Sequence, residues 1–315
     1  MSEFSLIARH FAAATDAHRD TVLGMGDDAA ISQPPTGCQL VSCLDTLVAG
    51  RHFLPSADPF SIGHKAVAVN LSDLAAMGAT PYALLLGLSL PAADEAWLGE
   101  FSRGLGAIGR QFGVQLIGGD TTQSDTLTIS VTALGWVPKG QAICRRGAQV
   151  GDMVCVSGDM GSASFALQQV LQGKPSDLQN ALDLPMPQVK LGQALRGFAS
   201  SMIDISDGLA QDLGHILAAS EVGARLDLAA IPAHRLLQNL PNAERWQHQL
   251  NGGDDYQLCF TIAPAKLAQF EHNFTEFSQQ IYPIGEIIVP NHNDNLQLIY
   301  QGKTVDFSVQ GWQHF

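Results

Sequence analysis

The sequence predicts two α/β domains in one chain. Three observations lead there. At 315 residues the chain is long for a single hydrophobic core. Apolar runs with helical spacing alternate with strand-like runs in both halves, which is the pattern of mixed sheet-and-helix layers. A break rich in Gly and Pro falls near 138–151, at Pro138-Lys139-Gly140 and then Gly147 and Gly151. Domains over 1–138 and 150–315 are expected.

In the first half, residues 4–18 read as an opening helix and Thr21–Ala30 as a Gly/Asp-rich segment. Gln39–Leu44 is an apolar run that predicts a buried strand ending at Asp45. Asp58-Pro59 starts a helix over 60–78 that Gly78 ends. Its spacing puts Asn70, Asp73 and Met77 on one face. Ala83–Leu90 is a strand stopped by Pro91, and 94–112 a helix with Trp97, Leu98, Phe101, Leu105, Ile108 and Phe112 at helical spacing. Val114–Ile117 reads as a strand running into Gly118-Gly119-Asp120, and Leu127–Val137 as another.

In the second half a strand over 153–157, a Gly/Ser turn and a helix over 162–172 precede a Pro-, Asp- and Gln-rich surface connection at 173–188. A helix near 188–199, a strand at 202–205, a helix over 207–220 and a strand at 224–228 follow. Two short helices, a strand at 257–262, a helix at 264–275 and two or three last strands finish the chain.

The composition narrows the function. Formal net charge is −13 and no Lys/Arg run occurs, which argues against a sequence-independent nucleic-acid binder. No apolar stretch of membrane-spanning length appears, and the first residues lack the basic and apolar regions of a signal peptide. Five scattered cysteines without a C-x-x-C pattern predict reduced thiols and a cytoplasmic protein.

Among the 30 acidic residues, 22 are Asp and 8 are Glu, an excess that points to turns, caps or metal sites, since solvated helix faces favour Glu. The aspartates recur at the ends of apolar runs, mostly beside glycine: Gly26-Asp27-Asp28, Leu44-Asp45-Thr46, Asn70-Leu71-Ser72-Asp73, Gly118-Gly119-Asp120, Asp204-Ile205-Ser206-Asp207-Gly208 and Gly252-Gly253-Asp254-Asp255. Short carboxylates at such places gather Mg²⁺ around phosphate. Asp73 lies near a helix C-terminus, where an acid opposes the macrodipole, so it calls for a partner or a metal. Alternation puts Asp204 and Ser206 on one face of a strand, with Asp207 expected at the N-cap of the next helix. Arg145 and Arg146 follow the domain break, where they either meet nucleotide phosphates or lie in a solvated linker. Together these parts suit phosphoryl transfer.

Other motifs are set aside. Gly104-x-Gly106-x-x-Gly109 matches a dinucleotide fingerprint but lies inside a helix-periodic segment, where packing is the expected role. His18-Arg19-Asp20 lacks the asparagine and D-F-G of a protein kinase, and no P-loop occurs.

Read in order, the motifs Gly26-Asp27-Asp28, Asp45-Thr46-Leu47-Val48 with His52-Phe53, Lys65–Ala79, Gly118-Gly119-Asp120-Thr121, Asp204–Leu209 and Gly252–Tyr256 closely resemble the thiamine-monophosphate kinase family, as does the ending Gly311–Phe315. The resemblance runs from residue 4 to 315. It implies the two-domain architecture of the aminoimidazole ribonucleotide synthetase-like superfamily, with an N-terminal sheet-and-helix domain that dimerises and a C-terminal α/β domain. It implies transfer of the ATP γ-phosphate to thiamine monophosphate, with several Mg²⁺ ions, no general base, and a homodimer whose N-terminal sheets join into a barrel. By motif position, Asp28, Asp45, Asp73, Asp120, Asp204 and Asp207 would bind Mg²⁺. Gly119, Asp120, Arg145 and Ser206 would bind ATP, and His52, Asp254 and Trp312 the thiamine substrate. Cys43 and Leu44 stand where the family often has Ser or Thr, leaving only their backbone carbonyls as metal contacts. Asp254 stands where it commonly has Glu, one methylene longer. Another ATP-dependent synthetase of the superfamily, or a sensor that binds nucleotide and metal without turnover, would use the same acid set.

Overall fold

A computed structural model describes residues 3–291 and 295–311. The chain divides into two compact units, one of Met1–Leu74 with Ala79–Gly140 and one of Ala75–Gly78 with Gln141–Phe315.

The first unit contains α1 (Glu3–His10), β1 (Thr21–Leu23), β2 (Ile31–Ser32), β3 (Cys38–Val48), α2 (Pro59–Ala76, whose last two residues count with the second unit), β4 (Thr80–Leu90), α3 (Glu95–Phe112), β5 (Gln115–Gln123) and β6 (Thr128–Pro138). Helix α1 stops well short of residue 18. Arg110 donates to the Ala14 carbonyl and Thr15 Oγ1 accepts from the Leu116 N–H, so this stretch is tied to α3 and β5. The main sheet has the order β3-β6-β4-β5, with β4 and β5 parallel and the other pairs antiparallel. A parallel pair requires a crossover, and α3 supplies it.

Helix α2 is buried on nearly every side, as its apolar composition demands. It packs close to α3: a Cβ at Gly63 would overlap the Phe101 carbonyl oxygen, and one at Gly104 the Phe60 carbonyl oxygen. Gly106 and Gly109 likewise face Ala14 and Thr15. The Gly104-x-Gly106-x-x-Gly109 sequence is therefore packing surface inside a helix, as its periodicity indicated.

The opposite face of the sheet carries Leu44 and Leu85, paired through Thr132 on β6, together with Leu40. All three leucines are exposed in the chain.

The second unit contains β7 (Met153–Val156), α4 (Ser162–Leu171), α5 (Gln179–Asp183), α6 (Val189–Ala194), β8 (Ala199–Asp204), α7 (Leu209–Ser220), β9 (Gly223–Asp227), α8 (Arg235–Gln238), α9 (Asn242–Asn251), β10 (Leu258–Ile262), α10 (Pro264–Asn273), β11 (Tyr282–Ile288), β12 (Leu296–Tyr300) and β13 (Lys303–Thr304). A mixed seven-stranded sheet runs β13-β12-β9-β11-β7-β10-β8. Its core joins Val154, Val156, Ile203 and Leu226 to the apolar face of α7. The 173–188 segment is more than a surface connection, because α5 sets Leu182 against Ala163 and Ala166 of α4. Among the described residues no helix is long and apolar enough to cross a membrane, and all five cysteines are free.

Candidate functional site

In the first unit the site begins on β3. The strand does not end at Asp45 but runs on to Val48. This is tolerated because β3 is an edge strand, and Asp45 is only half-buried on the side that meets α2. The fully buried Asn70 of α2 joins helix to strand. Its Oδ1 accepts the Asp45 N–H at 3.1 Å and its Nδ2 donates to the Ala66 carbonyl at 3.0 Å. Cys43, two residues before Asp45, points the same way, with Sγ 3.4 Å from the Asn70 carbonyl oxygen. Burial pushes the Cys43 thiol well up, and the nearby carboxylates of Asp73 and Asp45 push it further. Two acids thus act on one point, as the shared face of Asn70 and Asp73 anticipated. Leu44 faces the other way, into the open.

His52 closes the turn after β3. Its Nδ1 accepts the Val48 N–H at 3.0 Å, which places the proton of the neutral ring on Nε2. Asp28 lies in an exposed turn where its N–H donates to Asp27 Oδ1 at 2.9 Å.

Gly118-Gly119-Asp120 does not follow its strand but lies within β5. Gly119 is needed there, since a Cβ would overlap the Leu86 carbonyl oxygen of the parallel neighbour. By register, Asp120 pairs with Gly87, which pairs with Ser130, which pairs with Thr46. Asp120 therefore shares the open face with Thr46, while Asp45 shares the α2 side with Cys43. The two acids stand on opposite edge strands, three strand spacings or about 14 Å apart. A single chain does not bring Asp120 to Asp45 and Asp73.

In the second unit, β8 ends at Asp204, which is buried. Asp207 is not the N-cap of α7. The cap position is Gly208, at φ 124°, and the acid that satisfies the turn is Asp212. Asp212 Oδ2 accepts the N–H groups of Ser206 (3.0 Å), Asp207 (3.0 Å) and Gly208 (3.2 Å). Burial pushes the Asp212 carboxyl up to about 7, the Asp207 and Ser206 amides oppose the rise, and the Asp204 and Asp207 carboxylates add to it. Asp207 Oδ2 accepts from Gln211 Nε2 at 3.1 Å.

The Gly252–Tyr256 segment fastens onto this turn. The Asp254 N–H donates to the Ser206 carbonyl at 2.9 Å and the Tyr256 N–H to the Ile205 carbonyl at 2.8 Å. Gly253 leaves no room for a Cβ beside the Ser206 carbonyl oxygen. Asp254 and Tyr256 both have left-handed backbones, at φ 67° and 47°, a strain that the surrounding contacts hold. Tyr256 Oη donates to Asp254 Oδ1 at 2.9 Å. Between them Asp255 turns its carboxylate inward to the start of α4, where Oδ2 accepts the Gly161 N–H at 2.7 Å. Burial pushes the Asp255 carboxyl up to about 8, opposed by bonds from the Gly161, Ala163 and Ser162 amides.

Arg145 is exposed on the loop before β7, its carbonyl accepting from Ser220 Oγ at 3.3 Å. Trp312 lies outside the described residues. Its neighbour Gly311 lies against Gln211, the side chain that holds Asp207. Among the described residues no three His, Cys, Asp or Glu side chains converge to hold a metal ion. The sequence motifs do not reveal the roles of Asp212 or of the inward-turned Asp255. A signal for Asp212 was present, because it interrupts the apolar stripe of α7 between Leu209 and Leu213.

Residues 26–137 match the family model of the AIR synthase related protein N-terminal domain, and residues 149–294 that of the C-terminal domain. The thiamine-monophosphate kinase of Haemophilus influenzae is 41% identical over 323 residues, covering 100% of this chain and 98% of that protein. The crystal structure of thiamine-monophosphate kinase from Stenotrophomonas maltophilia K279a superposes with a TM-score of 0.86 at 41% identity, covering 97% of this chain and 98% of that one. A structure of AaThiL complexed with AMPPCP and TMP gives a TM-score of 0.77 at 27% identity, covering 89% of each chain. With its two AIR synthase related domains and full-length relatives above 30% identity, the chain belongs to the thiamine-monophosphate kinase family.

Proposed function

We propose that this protein is a kinase that transfers the γ-phosphoryl group of ATP to the phosphate of thiamine monophosphate, giving thiamine diphosphate. The observation that carries the reading is the junction of two motifs far apart in sequence. The Asp254 N–H meets the Ser206 carbonyl, so the segment assigned to the acceptor is fixed to the turn assigned to ATP. Family membership over the full chain supplies the identity of the two substrates.

The residues do the work of binding and orientation. Ser206, Gly119, Asp120 and Arg145 are assigned to ATP. His52 and Asp254 are assigned to the acceptor, with Trp312 stacking on the cationic thiazolium. The acceptor is a phosphate monoester with a second pKa of about 6, already largely ionised at neutral pH, so no side chain needs to remove a proton.

The donor set fits Mg²⁺. It consists of hard carboxylate oxygens, and two local groupings bring like charges together, Asp45 with Asp73 beside the half-buried Cys43 and Asp204 with Asp207 beside the buried Asp212, where they add to the rise that burial causes. Asp28, Asp45, Asp73, Asp120, Asp204 and Asp207 would hold the ions, with the Cys43 and Leu44 carbonyls as lesser contacts. Bound Mg²⁺ would offset the repulsion between the two anionic substrates and stabilise charge in the in-line transition state.

We assign residues 1–138 to ATP, Mg²⁺ and dimerisation, and 150–315 to the C-terminal α/β domain. The division of the chain near Gly140 supports these bounds. A homodimer is supported by the exposed Leu40, Leu44 and Leu85 on the open sheet face, the face that also presents Asp120. The free thiols support a cytoplasmic location.

The test is product formation from Mg-ATP with thiamine and, separately, thiamine monophosphate. Thiamine diphosphate arising from the monophosphate alone is the expected result. Binding of ATP without product from either acceptor would overturn the assignment.

A further inference from the structure

We propose that Asp212 is a positioning residue whose carboxylate holds the Ser206–Gly208 turn, and thereby sets the direction in which Ser206 and Asp207 present their side chains to nucleotide and cation. The inference rests on the function proposed above for that turn. Three amides, from Ser206, Asp207 and Gly208, converge on the single oxygen Oδ2. Asp212 is only 3% exposed, so no solvent competes for that oxygen. Successive amides around one point form an anion-binding concavity. Here the chain fills it with its own carboxylate from the first turn of α7.

The consequence concerns how phosphate is met. Turned inward onto Asp212, the amides of Ser206, Asp207 and Gly208 offer no cradle to a nucleotide. The side chains of Ser206 and Asp207 are left to face it. Their directions depend on the turn, and the turn is constrained on both sides. Behind it, a Cβ at Gly208 would stand 3.0 Å from the Leu250 carbonyl oxygen. Beside it, the Ser206 carbonyl receives the Asp254 N–H. Asp212 closes the third side, and Gln211, its neighbour on the same helix, holds Asp207 Oδ2.

Asp212→Asn keeps an oxygen acceptor in place, whereas Asp212→Ala leaves three inward amides without one. Steady-state kinetics on the whole protein should show Asp212→Asn within about threefold of wild type. Asp212→Ala should lose roughly tenfold to hundredfold in kcat, with a matching rise in the Mg²⁺ concentration for half-activation, while KM for thiamine monophosphate stays within about twofold. Asp212→Glu, which keeps the charge but lengthens the side chain, should behave like the alanine variant and serves if that one does not fold. A wild-type kcat and Mg²⁺ requirement in the Ala or Glu variant, with only a lowered Tm, would make Asp212 merely structural and overturn the proposal. An Asn variant as damaged as the Ala variant would overturn it too, because charge rather than position would then be what matters. Should the wild type form no thiamine diphosphate, the function above fails by itself. Calorimetric titration of the same variants with Mg-ATP then decides this proposal, with weakened binding in Ala but not Asn expected and equal binding in all refuting it.

Discussion

Adding one methyl group at Gly104 and another at Gly99 tests how α2 is held in place. Both glycines lie in α3, and in each case alanine gains about 1 kcal/mol of helix propensity. At Gly99 nothing lies within 4 Å of the new carbon, so Gly99→Ala should stabilise by about that amount. At Gly104 the carbon would overlap the Phe60 carbonyl oxygen and stand 2.7 Å from the carbonyl carbon. These are backbone atoms, so no rotamer change relieves the clash, and α2 must move away from α3. Overpacking of this kind costs about 1–3 kcal/mol beyond the propensity gain, occasionally more. Gly104→Ala is then about 1–3 kcal/mol less stable than wild type and Gly99→Ala about 1 kcal/mol more stable, so the two should differ by about 2–4 kcal/mol in urea unfolding. Because α2 carries Asn70 and Asp73, Gly104→Ala should also lower turnover, and Gly99→Ala should leave it unchanged. Equal stabilisation by both substitutions would refute the close helix contact.

Asp255→Asn should flatten the dependence of stability on pH. The folded-state carboxyl titrates at about 8, above its ordinary value, so across the window from pH 4 to 8 the folded chain keeps a proton that the unfolded chain releases. Stability from this group therefore falls as pH rises through that window, by at most about 1.4 kcal/mol per pH unit; parallel Tm–pH profiles for wild type and variant would contradict this. Asn70→Ala removes the acceptor of the Asp45 N–H and the donor to the Ala66 carbonyl, and should cost about 2–4 kcal/mol in urea unfolding together with most of the turnover, so a neutral substitution would show that the bridge does not matter. Asp45→Asn and Asp120→Asn should each abolish turnover while Tm stays within about 4 °C of wild type, and wild-type rates in both would remove these residues from the site.

Most strands and long helices were legible because apolar runs and helical spacing follow burial directly. The errors cluster where a carboxylate or a glycine interrupts a run. Asp45 was read as a strand end, but an edge strand accepts a half-buried acid when a buried amide such as Asn70 takes its N–H. The apolar run places the strand over Val114–Ile117, before Gly118 and Gly119, yet β5 continues through them because Gly119 lets the Leu86 carbonyl approach. The sequence names the carboxylates proposed for the site as a set. It does not show their grouping: nothing in spacing places Asp120 on one sheet face and Asp45 on the other, since that depends on strand order. Nor does the Asp207-Gly208 pair reveal that the capping acid lies four residues beyond Gly208, because a left-handed glycine turns the amides back toward the helix.

The same device appears twice in the second unit. Asp212 fills the amides at the start of α7, and Asp255 fills those at the start of α4. Both places have the strand, glycine-bearing turn and helix start where backbone amides elsewhere bind phosphate. A protein that closes both with its own carboxylates has given up direct amide recognition of anions there. With 30 acidic residues against 17 Lys and Arg, it has few cationic side chains to substitute. On the function proposed above, phosphate is met through cations held by the remaining carboxylates, and the excess of Asp and the filled amide clusters fit that arrangement. It follows that activity should depend far more steeply on Mg²⁺ concentration than on any single Lys or Arg.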